Sequence, residues 1–135
     1  MRTTELTLRT GDEPTLVDLT SHCAEFVRSE TDGLLNVFVP HATCGLVVLE
    51  LGQGSDEDLL AALERLLPHG EGLWLHRHGS PGHGADHVLP LLSSPSLSLP
   101  VVKGQLGLGS WQSIALLDTN VDNPTRRVRL SFLPG

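Results

Sequence analysis

Two adjacent apolar runs, Leu34 to Val39 and Ala42 to Leu49, constrain this chain more than any other feature. Both are dominated by Val, Leu and Phe, show little alternation, and are separated only by Pro40 and His41. Short runs of that composition predict strands buried on both faces, at the centre of a sheet. At 135 residues the chain has room for one ordinary domain around such a sheet, so residues 1–135 are read as a single domain. A (β/α)8 barrel, which needs about 250 residues, is excluded.

The flanking segments supply the rest of a small fold. Glu5 to Arg9 alternates polar and apolar, the period of a half-buried strand, and Thr15 to Leu19 is a short second one. Thr20 or Ser21 is placed to cap a helix through Arg28 that turns Cys23, Phe26 and Val27 inward. Ser55 followed by Asp58 resembles a capping box, opening a helix over Asp56 to Leu67 with a stripe of Leu59, Leu60, Leu63, Leu66 and Leu67. A short strand is expected at Leu73 to His76 and a short helix at Ala85 to Leu92, with Pro90 inside it. Ser96 to Val102 and Gln105 to Leu108 form a hairpin across Lys103-Gly104, and Trp111 to Leu117 and Arg127 to Leu133 supply two more strands. Seven or eight strands with two or three helices that do not alternate one-for-one predict a compact α+β domain built on a largely antiparallel or mixed sheet. No Gly-rich dinucleotide loop or P-loop is present.

Hydrophobic residues make up 39% and charged residues 19% of the chain, a balance that excludes a disordered acidic tail and a membrane protein. The net charge of −7 opposes general attraction to nucleic acid or an anionic bilayer, so neither is an expected partner. Any anion must instead meet a local basic site. Met1 to Thr10 lacks the apolar core of a signal peptide and no run approaches the roughly 18 apolar residues of a membrane span, so a cytoplasmic location is expected. Cys23 and Cys44 read as small buried hydrophobes rather than a disulfide.

Histidine is the unusual residue: five of the seven, His69, His76, His78, His83 and His87, fall within nineteen positions. Clustered neutral imidazoles are what a metal or acid/base site requires, and a hydrated loop is the competing account. His76 and His78 would leave one face of a strand together, and His83 and His87 stand at helical spacing. His69 lies further off and reads more simply as a loop residue. His41 and Thr43 sit at the mouth of a buried strand, a common place for a site, although a structural histidine fits there too. Glu50 falls on the opposite face from His41. In Arg126 to Phe132, Arg126 shares the face of Val128, Leu130 and Phe132, where an arginine needs an anion or a carboxylate partner. Arg126 is therefore a candidate anion-binding group; snorkelling or pairing with Asp122 are the alternatives. Arg127 and Arg129 occupy the other face. Trp111 and Gln112 offer a ring and an amide to a flat ligand, or serve as plain core.

Taken together, His41-Ala42-Thr43-Cys44-Gly45-Leu46 ending at Glu50, the His76 to His87 segment, Pro100 to Gly104, Leu108 to Gln112 and Arg126-Arg127 resemble the YjbQ-like family, also called the secondary thiamine-phosphate synthase family. The resemblance spans about Leu16 to Leu133. It implies a compact α+β domain, a homotrimer, a His-rich pocket for a divalent metal (zinc or magnesium) or anions, and a weak thiamine-phosphate synthase activity. His41 matches the histidine opening the family's His-Thr-Ser-Ala-like motif, His87 the histidine beginning its later helix, and His76 a histidine before its Glu-Gly-Asn-like loop. Two departures stand out: Cys44 replaces the usual Ser, and His78 to His83 replaces the acidic loop, leaving His83 to take over a polar role.

The expectation is thus a metal held by His41, His76 and His87, with His83 as an optional further ligand, and with His41, His83 and Arg126 as catalytic groups. Thr43, Trp111, Gln112, Arg126 and Arg127 would bind a small phosphorylated or anionic ligand. Three functions fit: a thiamine-phosphate-synthase-like transfer, in which a cation and arginines stabilise departing pyrophosphate; metal-dependent hydrolysis of a small phosphorylated metabolite; and a non-enzymatic metal- or ligand-binding trimer.

Overall fold

The strands form where β-branched and alternating residues accumulate, and they sort into two antiparallel sheets. The computed structural model describes residues 1–135. In chain order the elements are β1 (Arg2–Arg9), β2 (Thr15–Asp18), α1 (Thr20–Val27), β3 (Gly33–Phe38), β4 (Cys44–Leu49), α2 (Ser55–Leu66) and α3 (Gly84–Val88), which continues into a 3-10 turn at Leu89–Leu91. They are followed by β5 (Ser96–Val102), β6 (Gln105–Leu106), β7 (Ser113–Asp118) and β8 (Thr125–Pro134). The larger sheet has the order β1-β8-β3-β5-β6 and the smaller β2-β7-β4; every pairing is antiparallel. The protein is a single α+β domain.

Burial explains the layering. One face of the large sheet contributes Leu35, Val37, Leu99, Val101, Val128, Leu130 and Phe132 to a core completed by Cys23 and Val27 of α1 and by Leu46, Ile114 and Leu116 of the small sheet. Leu117 points the other way from β7 and packs with Leu67, Ala85 and Leu89, against which Leu59, Leu60 and Leu63 of α2 also lie. Alternate residues of β7 thereby join two apolar layers, as the two-residue period of a strand requires.

Several expectations are corrected. β3 and β4 do not lie together at one sheet centre: β3 is central in the large sheet, whereas β4 is an edge of the small one. Nor is β3 buried on both faces, because Leu35 and Val37 are fully buried while Leu34 is 48% exposed. Its outer face is apolar enough to hide the alternation. Leu73 to His76 is irregular rather than a strand. The helix expected over Ala85 to Leu92 divides at Leu89, where Pro90 enters the 3-10 turn; proline's missing N–H and fixed φ suit the first turn of such an element. Trp111 and Gln112 precede β7 in a turn closed by the Gln112 N–H on the Gly109 carbonyl. Leu66, placed on the inward stripe of α2, is exposed. Neither α1 nor α2 has a side-chain cap; Gly54 enters α2 with φ 94°, and Asp56, Glu57 and Asp58 complement the helix dipole instead. The Lys103-Gly104 hairpin forms with positive φ at both turn residues, as a type I′ turn demands.

Both sheets bring their chemistry to one end. Asp118 closes β7 opposite Cys44 of β4 and Thr15 of β2, and Arg126 stands at the start of β8 opposite Leu8.

Candidate metal centre

Three imidazoles converge at the start of α3. The candidate ligand nitrogens of His76, His83 and His87 all lie within 4.8 Å of one another. His83 and His87, four residues apart, present their Nε2 atoms to each other at 3.0 Å, while the His76 ring stacks on that of His87 with centroids 3.9 Å apart. The His78 ring meets that of His76 edge-on, with centroids 4.0 Å apart. His76 reaches the group from irregular backbone, so loop path rather than strand periodicity brings it there. Two nitrogens bound to one zinc ion at about 2.0–2.1 Å stand roughly 3.3 Å apart in tetrahedral geometry, close to the His83–His87 separation.

Two further observations fit a metal. His76 Nδ1 is buried without a hydrogen-bond partner, a costly condition for a polar atom that has no ligand to meet. Partial burial and the neighbouring imidazoles also hold His76 and His87 below the ordinary histidine pKa, favouring the neutral ring that binds a cation. The second observation is the support behind His83. Its Nδ1 faces Asp86 Oδ2 at 3.1 Å and Asp122 Oδ2 at 3.4 Å, leaving Nε2 directed at His87. A carboxylate behind a metal-directed imidazole fixes its tautomer and raises its basicity. Asp86 is only 2% exposed and also accepts the Thr119 hydroxyl at 2.7 Å. Asp122 accepts the backbone N–H and hydroxyl of Ser80, each at 3.1 Å, which together with His83 and His78 outweigh partial burial and keep its pKa low.

Beside His76 opens a polar cavity of about 320 Å³ whose wall includes Glu71, Trp74, Arg77, Ser80 and Gly82. It is large enough for a small metabolite.

Arg126 and His41 form a separate, adjoining group. Arg126 is 3% exposed and donates from Nε to Asp118 Oδ2 at 2.8 Å, and from Nη2 to Asp118 Oδ1 at 3.2 Å and Thr43 Oγ1 at 3.0 Å. Thr10 donates to the same carboxylate at 2.7 Å. Burial opposes the charge on the guanidinium, but the hydrogen bond to Asp118 together with the surrounding negative charge, that of Asp118 and Asp86 included, outweighs it and raises the pKa further. His41 accepts the Arg127 backbone N–H at Nε2, 2.9 Å away, and places Nδ1 3.4 Å from Arg126 Nη1. Burial, then the charges of Arg126 and Arg127, lower its pKa. Asn120 connects the groups: its amide donates to Thr43 at 3.0 Å, and its side-chain oxygen accepts the Asp122 N–H at 3.0 Å.

The expected site residues therefore separate. His76 and His87 come together as metal candidates, and His83 takes the third place assigned to His41, whose Nε2 is committed to backbone. Arg126 finds a carboxylate partner, Asp118 rather than Asp122, so most of its donors are occupied before an anion arrives. Thr43 is buried between Arg126 and Asn120 rather than facing a ligand. Arg127 is half-exposed, 3.5 Å from Glu5. Trp111, 75% exposed, and Gln112 lie at the opposite end of β7 from Asp118, roughly 20 Å away at about 3.3 Å per residue. From the sequence, Asp122 is named only as a partner for Arg126, and Asp86, Asp118 and Asn120 are not reached; of these only Asp86, three residues after His83 at the entrance to α3, carries a local signal.

A family model described as UPF0047 protein YjbQ-like matches residues 4–135. The chain belongs to this family. It is 56% identical over 120 residues to a UPF0047 protein of Mycobacterium bovis, covering 89% of this chain and 92% of the relative. It is 40% identical over 131 residues to one from Archaeoglobus fulgidus, covering 96% and 99%. Among solved structures, a hypothetical protein of Aeropyrum pernix is 30% identical, with TM-score 0.88 and full coverage of both chains. A conserved hypothetical protein of Thermus thermophilus is 33% identical, with TM-score 0.82 and 96% and 99% coverage. These relatives establish family and fold. No helix of the chain is long and apolar enough to cross a membrane.

Proposed function

We propose that this member of the YjbQ-like family is a small metal-dependent enzyme acting on a phosphorylated or otherwise anionic metabolite, with a divalent metal held by His76, His83 and His87. The observation that carries the reading is the convergence of three imidazoles, one backed by buried Asp86 and one with an unpartnered buried nitrogen. An all-imidazole donor set favours zinc over magnesium, which prefers oxygen. A metal with three protein ligands and an open position supplies Lewis acidity and a water acidified towards neutral pH.

The chain's own groups do the remaining work. Arg77 and the polar wall of the adjoining cavity hold the anionic part of the ligand. Asp86 keeps the His83 tautomer, Asp122 ties the Ser80 loop to His83, and exposed His78 is placed to move a proton beside His76. Arg126, satisfied by Asp118 and Thr43, is tied to the centre through Thr43, Asn120 and Asp122. The same centre suits metal-dependent hydrolysis and the pyrophosphate loss of a thiamine-phosphate-synthase-like transfer; the latter remains part of the proposal through the family resemblance. So does the homotrimer, through which Trp111, Gln112 and Arg127 of one copy would serve the site of another.

A panel of phosphorylated metabolites, including the thiamine-phosphate precursors, tests the reading with and without chelator. The expected result is zinc-dependent release of phosphate or pyrophosphate that His83→Ala reduces at least about 100-fold, the scale of losing a principal catalytic interaction. Full turnover in chelator contradicts it, and tight ligand binding without turnover favours a binding protein.

A further inference from the structure

His69 lies outside the three imidazoles, yet its ring completes a hydrogen-bonded path into them. Its Nδ1 is 2.8 Å from Glu64 Oε2, near the end of α2, and its Nε2 is 2.7 Å from Asp86 Oδ1. Ionised carboxylates only accept, so satisfying both contacts requires a proton on each ring nitrogen. Glu64 also accepts the His69 backbone N–H at 3.2 Å, fixing the turn from which the ring projects. At Asp86 the ring meets the Thr119 hydroxyl on Oδ1, while Oδ2 faces His83 Nδ1. Donors from the segment after α2, the end of β7 and the start of α3 thus hold one buried carboxylate. The backbone repeats the link: Gly82, φ +80°, packs so tightly on His69 that a β-carbon there would overlap the His69 carbonyl.

From this geometry we infer that His69 is a positioning residue for the candidate centre, acting through Asp86 to hold His83 with its proton on Nδ1 and Nε2 free towards His87. The inference rests on the metal-dependent reading above and extends it to a residue that touches neither metal nor substrate. Removing His69 leaves Asp86 with one donor fewer and freer to rotate, so His83 loses its fixed tautomer. Glutamine differs from alanine in a useful way, because its amide nitrogen occupies the place of histidine Nε2 and restores the donor to Asp86.

Nitrogen-15 imidazole spectra of the metal-free protein and zinc titrations against a competing chelator are measured for wild type, His69→Ala and His69→Gln. The expected result is an Nδ1–H signature for His83 in wild type, lost in His69→Ala together with about tenfold in zinc affinity, the lower end of outer-shell effects. His69→Gln recovers both. An unchanged His83 spectrum in His69→Ala overturns the inference, as does equal loss in both variants, which would make His69 merely structural. Absence of zinc binding by wild type defeats the metal reading instead, and the imidazole spectra then decide the role of His69 on their own.

Discussion

At the scale of single residues, the buried charges separate support from chemistry. Arg126 and Asp118 satisfy each other away from water, with Thr10 and Thr43 taking up remaining hydrogen-bonding capacity. Removing one charge strands the other, at a cost of about 3–5 kcal/mol. Asp118→Asn is therefore expected to lower unfolding stability by that amount in denaturant titration; a change below about 1 kcal/mol contradicts the structural role given to the pair. His69 behaves differently because the ordinary pKa of a histidine lies near neutrality. Burial opposes its charged form, but hydrogen bonds and charge from Glu64 and Asp86 outweigh that and raise its pKa above the ordinary value of about 6.5. Its contribution to stability is therefore fully present below that value and is lost as pH rises through the folded-state pKa. Glu64 has the opposite sign: the same hydrogen bond depresses its pKa, so its contribution is lost as pH falls through the folded carboxylate value. Melting temperatures of wild type and His69→Ala should differ most between these limits and converge on the alkaline side. A constant difference from pH 5 to 9 contradicts this account.

Elements place those residues, and here close packing sets tolerance. Gly45 in β4 faces Ser93, whose hydroxyl bonds the Leu46 carbonyl at 3.0 Å, and a β-carbon at Gly45 would overlap that serine. Gly45→Ala should cost about 1–3 kcal/mol through overpacking; a melting temperature equal to wild type would show that the strand end yields. The same scale shows what periodicity can reveal. The alternation of β8 correctly turned Arg126 inward, and the leucines of α2 largely marked the face it buries. Alternation failed in β3 because Leu34 and Phe38 occupy its outer face, making a one-sided strand read as two-sided. It failed at His76 because irregular backbone carries that ring to α3. The His83–His87 spacing was legible because both lie within one helical turn or its entrance, whereas Asp118 and Asn120 reach Arg126 and Thr43 through tertiary contacts that leave no local pattern.

For the molecule as a whole, two sheets and three helices gather histidines and carboxylates at one end, while Trp111 and Gln112 stand at the other. One copy therefore does not unite all the residues that the sequence reading assigns to a site. If neighbouring copies supply them, light scattering at micromolar concentration should return the mass of a homotrimer; a monomer contradicts that part of the proposal. The metal proposed at the three imidazoles does not depend on assembly. It is tested most directly by elemental analysis of protein purified without a histidine tag or chelator, beside His83→Ala. About one zinc ion per chain is expected in wild type, with its loss in the variant. Wild-type protein that retains no transition metal, even after dialysis against zinc, would contradict it.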